Sequence, residues 1–208
     1  MILPDLRERL LALPSSPERS AYLGFLETRG EDAVRRDGGP EHITASTFVL
    51  SPGLDQVLLC FHRKGQFWVQ FGGHIEPGDA TIAGAALREA REESGVRDLA
   101  LASTAITDLD RHELHGGFRC AAHWDVGFTA ILDRSAAIAV SEESEAVRWF
   151  ALDALPRAIP AALETRLAAA VRAASRSATA GSTTAGSAAT GSAAPVRPPL
   201  PPDAPSRS

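Results

Sequence analysis

Between positions 67 and 96 the hydrophobic period of the chain changes, and that change limits the folds open to it. FWVQF (Phe67 to Phe71) is a short apolar and aromatic run of strand type that leads directly into Gly72 and Gly73. From Ile82 onward the period is helical, and Gly95 stands where a left-handed helix stop is expected. At ~100° per residue, Ile82, Ala83, Ala86, Leu87 and Ala90 share one sector suited to packing on a sheet. Glu89, Glu92 and Glu93 take a second sector, and Arg88 and Arg91 a third. Glutamates three and four apart cost an isolated helix roughly 0.2–0.5 kcal/mol per pair, unless positive charge stands between them. A solvated face with an Arg88–Glu92 pair is one answer. A divalent cation is another: hard ions such as Mg²⁺ take oxygen ligands and are commonly held through carboxylates together with substrate phosphates.

The rest of the chain alternates between the two periods. HITASTFVL (His42 to Leu50) and QVLLCFHR (Gln56 to Arg63), separated by the turn-prone SPGLD, predict a hairpin. Further strand-like sequence lies in LALASTAITDLDRHEL, FRCAAHWDVGFTAIL and VRWFALDALP, before an alanine-rich helix from about Pro160. Interleaved strands and helices favour an α/β or α+β mixed sheet with helices packed on it. The first forty residues read as helices: Leu6, Leu10 and Leu13 recur at helical spacing, and Ser15 to Glu18 (SSPE) forms a capping-box pattern. From about Ala173 large apolar residues become scarce, so burial cannot offset the ordering entropy there. The expected organisation is an N-terminal helical extension (1–40), one domain (41–172), and a disordered Ala/Ser/Gly/Pro-rich tail (173–208).

At 208 residues one domain of ordinary size is expected. The formal charge of −5, without a Lys/Arg cluster, argues against nucleic acid as a partner. Cys60 and Cys120 form no CxxC pair, and no His/Cys cluster at zinc spacing is seen, so neither a disulfide framework nor a zinc site is expected. Reduced thiols fit best. The opening MILPDLRERL lacks the pattern of an export signal, and no apolar run approaches the ~18 residues of a membrane span. A soluble, cytoplasmic protein with no membrane partner is the expectation.

The stretch from Gly73 through Arg88, Glu89, Ala90, Glu92, Glu93 and Gly95 to Val96 resembles the Nudix box. Its second half, REAREESG followed by Val96, matches at every defined position. Its first half departs twice: Asp79 replaces a Glu, and eight residues rather than seven separate it from Arg88. The resemblance implies an α/β/α sandwich with a loop–helix–loop box. It further implies Mg²⁺- or Mn²⁺-dependent hydrolysis of a small nucleoside diphosphate derivative by water attack at phosphorus. Glu92 and Glu93 would be the principal metal ligands, Glu89 a ligand or proton acceptor, and Gly72 a carbonyl ligand. Arg88 would be structural, with Asp79 its candidate partner, and Glu143 in SEESEAVRWF would assist the metal or the water. A Nudix-like nucleotide-binding or sensor module without hydrolysis is the alternative that the altered first half motivates.

Outside the box, His123 and Asp125 alternate onto one face of a strand, where they face substrate or form a polar edge. His74, beside Gly73, is a candidate phosphate contact, whereas His112 and His115 read as surface histidines. Trp68 and Phe71 either stack on a base or belong to the core. The N-terminal helices pack on the domain or on a second subunit, so a homodimer is possible.

Overall fold

The computed structural model describes residues 1–114, 120–140 and 144–185, with side chains to 179. Helices α1 (Ile2–Ala12) and α2 (Pro17–Arg29) and a 3₁₀ turn (Gly30–Val34) precede β1 (Glu41–Leu50), β2 (Gln56–His62), β3 (Phe67–Val69) and β4 (Phe71–His74). The helix α3 (Ile82–Ser94) follows, then β5 (Asp108–Glu113), β6 (Ala122–Ile131), β7 (Ser144–Ala151) and α4 (Leu163–Ala185). The sheet is mixed. Its centre is the parallel pair β1–β6, in register from Glu41 opposite Ala122 to Leu50 opposite Ile131, and every other pairing is antiparallel.

The expected hairpin forms, but β1 and β2 pair only at Val49–Leu58 and Leu50–Val57 before they diverge. The single strand expected over Phe67 to Phe71 fills the gap as two. At Gln70 the chain passes from β2, on which β3 pairs, to β1, on which β4 pairs with Gly72 opposite Ser46 and Gly73 opposite Ala45. Both glycines are therefore strand residues instead of a loop, wedged where the sheet opens.

Alternation along β1 sorts the core. Ile43 and Ala45 face α1, α2 and the start of α3, where Leu6, Leu10, Tyr22, Leu26, Ile82 and Ala86 are buried with Val126 and Phe128. Phe48 and Leu50 face α4 through Leu163, Leu167 and Ala170. Helices thus cover both faces, giving the α/β/α arrangement. The N-terminal helices share the core of the domain: Trp124 stacks on Phe25 at 4.5 Å and meets Tyr22 edge-on, and the Tyr22 hydroxyl donates to the Asp125 carbonyl at 2.7 Å. The helix α4 runs to Ala185, past position 173 where the tail was expected to begin. The alanines that make the segment poor in large apolar side chains are the best helix formers, and Ala174 still packs on the sheet.

Candidate active site

Both ends of α3 are fastened. Thr81 caps the N-terminus by accepting from Gly84 N at 3.0 Å, and Asp5 of α1, itself paired with Arg9 at 2.9 Å, accepts from Ile82 N at 2.9 Å. Gly95 closes the other end at φ 71°, in the left-handed region. The three glutamates leave this fixed helix into different surroundings. Glu93 is buried, and its Oε2 accepts from Gly72 N at 2.9 Å. Glu89 lies against Gly73 so closely that a Cβ there would stand 2.6 Å from its Oε1. Glu92 points outward, its side chain 59% exposed, and pairs with Arg88 at 3.1 Å.

Arg88 organises this end of the sheet. Its Nε and Nη2 donate to the two oxygens of Asp79 at 3.0 and 2.9 Å, and Nη2 also donates to the His74 carbonyl at 2.9 Å. Nη1 reaches Glu89 at 3.0 Å and Glu92 at 3.1 Å. Asp79 also accepts from Glu76 N at 2.8 Å, so the extra residue before Arg88 is taken up in a loop that still delivers a carboxylate to the guanidinium. That hydrogen-bonded pairing and the nearby Glu89 raise the pKa of Arg88 and keep it charged. Cys60 lies behind the site; burial first, and the Glu93 carboxylate second, push its thiol far up, so it is a neutral core group.

On the other face of β4 a cavity of about 710 Å³ opens, with Gly72, Gly73 and His74 in its wall. Arg36, Arg63 and Lys64 also line it, a local excess of positive charge in an acidic protein. His74 and His123 face it; burial depresses their pKa values to about 4 and about 3, so both are neutral near pH 7. His112, expected at the surface, has its side chain 39% exposed and also lines this cavity, with Nδ1 2.8 Å from Asp110.

Asp125 shares the face of His123 but is buried and internally engaged. Its oxygens accept from Thr44 at 2.8 Å, Ser46 at 2.5 Å and Arg166 at 2.6 Å. Burial pushes this carboxyl up, yet Arg166 and the two hydroxyls outweigh burial and hold it below its ordinary value. It forms the floor of the cavity. Arg166 also bonds to Asp108 at 2.5 Å; burial dominates at Asp108 and raises its pKa to about 6. No periodic signal marks Arg166, which stands on the alanine-rich helix, 41 positions from Asp125.

Trp68 packs against Phe61 and Phe150, and Phe71 is fully buried, so Phe71 belongs to the core. Glu143 and His115 lie outside the described residues. The sequence spacing announces no His/Cys cluster, yet strand register gathers His42, His74, His123 and Cys120 in the cavity region. Cys120-x-x-His123 was the visible trace of it; His42 carried none.

A family model described as the NUDIX domain matches residues 40–172. Among solved structures, a C. elegans Ap4A hydrolase is 20% identical with a TM-score of 0.50, covering 68% of this chain and 98% of that one. A MutT protein from Methanosarcina mazei Go1 is 17% identical with a TM-score of 0.52 (64% and 95% covered). The E. coli dihydroneopterin triphosphate pyrophosphohydrolase is 20% identical with a TM-score of 0.52 (65% and 97% covered). No curated protein sequence matches the chain. At such identities the structural likeness concerns the fold.

Proposed function

The chain belongs to the Nudix family, and from that premise we propose that it hydrolyses the diphosphate linkage of a small nucleoside diphosphate derivative with the help of a divalent cation. One observation carries this reading. The backbone of the Gly72–Gly73 pair lines a cation-lined cavity and also touches the buried or half-buried Glu93 and Glu89 carboxylates, so these two residues connect the carboxylates with the cavity.

The donor set is all oxygen, which fits a hard ion, and the missing side chain of Gly73 is what lets the Glu89 carboxylate come this close to the strand. Glu89, Glu92, Glu93 and the Gly72 carbonyl would hold Mg²⁺ or Mn²⁺. When bound, such an ion neutralises phosphate charge and lowers the pKa of water. The chain supplies the rest. Arg36, Arg63 and Lys64 draw the anionic substrate into the cavity. His74 and His123 line the cavity, and the ring nitrogen of each that faces it offers a hydrogen bond to phosphate or sugar, leaving the other free for a different partner. Glu89 takes the proton of the attacking water as the new O–P bond forms and the bridging P–O bond breaks, the second phosphate departing as an anion. Arg88 orients Glu89 and Glu92 and is itself held by Asp79.

The alternative, a Nudix-like nucleotide-binding or sensor module without hydrolysis, rests on the altered first half of the motif. The Asp79–Arg88 pairing supports the hydrolase reading over it, because the substitution and the extra residue leave the guanidinium bridge intact. Two of the similar structures are named as an Ap4A hydrolase and a pyrophosphohydrolase, in keeping with the class proposed. The test is a panel of nucleoside diphosphate derivatives with Mg²⁺ or Mn²⁺, read by phosphate and pyrophosphate release beside Glu93→Gln. Turnover that Glu93→Gln abolishes supports the proposal; turnover indifferent to it, or tight binding without turnover across the panel, overturns it.

A further inference from the structure

We propose that His42, His74, His123 and Cys120 form a second metal site, for a zinc-class ion, at the wall of the cavity, which His74, Cys120 and His123 line, and separate from the carboxylates of α3. Strand register builds the cluster. His42 and His123 are direct partners in the β1–β6 pair, and His74 stands opposite Thr44, the next residue of β1 on the face of His42. Cys120 enters from the segment before β6. The three rings lie with centroids 4.9, 5.2 and 5.1 Å apart, Cys120 Sγ is 3.8 Å from His74 Nε2, and one ligand atom from each of the four residues falls within 4.8 Å of all the others.

A second observation points to a ligand. His42 is 1% exposed, and among the described residues neither of its ring nitrogens has a well-aligned hydrogen bond, the Gly39 backbone making only a weak contact; His123 Nε2 is buried and unpartnered among them too. Leaving a buried polar atom unsatisfied is unfavourable, and ring nitrogens orphaned close together are what a missing common partner would leave.

The chemistry of the donors separates this site from the carboxylates. Zinc takes imidazole at ~2.0–2.1 Å and thiolate at ~2.3 Å, so four tetrahedral ligands stand roughly 3.4–3.6 Å apart. Side-chain rotation of about an ångström closes the cluster to that size. Three imidazoles and a thiolate suit zinc, whereas an all-carboxylate and carbonyl set suits magnesium or manganese. Binding displaces one proton, from the Cys120 thiol to solvent. Because side chains alternate along β4, Gly73 faces Glu89 and His74 faces the histidines, so one strand separates two sites of opposite preference. The site does not depend on the hydrolase reading.

The test uses the full chain, reduced and stripped with chelator. Reloaded with zinc and desalted, wild type is expected to retain about one equivalent, and the cobalt form to show tetrahedral visible bands with a thiolate-to-cobalt charge-transfer band. Cys120→Ser, at a half-exposed position, should lose that band and bind zinc at least tenfold more weakly with its melting temperature in the absence of metal unchanged. His42→Ala should lose retention as well, and Glu93→Gln should keep it. No retention by wild type, cobalt bands unchanged in Cys120→Ser, or loss confined to Glu93→Gln would each overturn the proposal. None of these readouts involves hydrolysis, so failure here leaves the proposed activity standing.

Discussion

Gly73→Ala separates catalysis from stability. The added methyl would stand 2.6, 2.7 and 2.9 Å from Oε1, Cδ and Oε2 of Glu89, where ordinary contact begins near 3.4 Å, so the carboxylate must retreat by about 0.8 Å. Only the end of a side chain has to move, and Gly73 has no positive φ that alanine would strain. Holding Glu89 off its rotamer costs about 0.5–1.5 kcal/mol. Replacing glycine returns about 0.4–1 kcal/mol through the unfolded chain. Unfolding free energy should therefore stay within about 1 kcal/mol of wild type. A group displaced by about 1 Å from its working position loses roughly a hundredfold in rate, equivalent to ~2.7 kcal/mol of barrier. The assay pairs kcat on the best substrate of the panel with urea unfolding, in wild-type and Glu89→Ala backgrounds. If the methyl acts through Glu89, it costs nothing further once Glu89 is gone. Gly72→Ala is the contrast: there the methyl meets the Ala45 carbonyl at 2.7 Å and Ser46 Cα at 2.8 Å, backbone that cannot step aside, and Ser46 Cβ at 2.6 Å, so stability falls as well. Wild-type kcat in Gly73→Ala, or a second hundredfold loss in the Glu89→Ala background, would refute the reasoning.

Asp79→Ala removes the acceptor for Arg88 and for Glu76 N, and should cost about 2–3 kcal/mol in urea unfolding while lowering kcat through Glu89 and Glu92. Arg166→Leu leaves Asp108, Asp110 and Asp125 without their cation and should destabilise by roughly 3–5 kcal/mol near pH 7, visible as a fall in melting temperature. Asp108, at about 6 in the fold against 3.8 ordinarily, is an acid whose pKa rises on folding, so its contribution is fully present below pH 3.8 and lost as pH rises through 6. Asp108→Asn should therefore gain on wild type between pH 4 and 7 by up to roughly 3 kcal/mol, and parallel stability–pH curves for the two proteins would count against the shift. Asp5→Ala should cost about 1 kcal/mol through the start of α3, measured by thermal unfolding.

Periodicity carried much of the architecture, because local period records which face of an element is buried. The box helix, its Gly95 stop, the hairpin and the first helices were all readable in that way. What escaped depends on register. Nothing local says that the run from Phe67 divides at Gln70, since the division arises from β1 and β2 separating beneath it. Asp125 has the alternation of a cavity-facing residue, and only the approach of Arg166 from α4 turns it into an internal anchor. His42 reads as an unremarkable strand residue until the parallel pair sets it opposite His123.

The division at Gln70 has its physical origin in the opening between β1 and β2. Had the hairpin zipped along its length, β2 would have occupied the edge of β1 where β4 now pairs, and Ser46 and Thr44 would have had no glycine strand beside them. Because β4 is inserted there, Gly72 brings its N–H to Glu93 and Gly73 admits the Glu89 carboxylate, while His74 turns to the opposite face and joins His42 and His123. Arg88 then bonds the His74 carbonyl, so the guanidinium that orders the carboxylates also fixes the strand from which the histidine projects. Loosening Arg88 should accordingly disturb both faces of β4, whereas a change at Cys120 should be felt on one only.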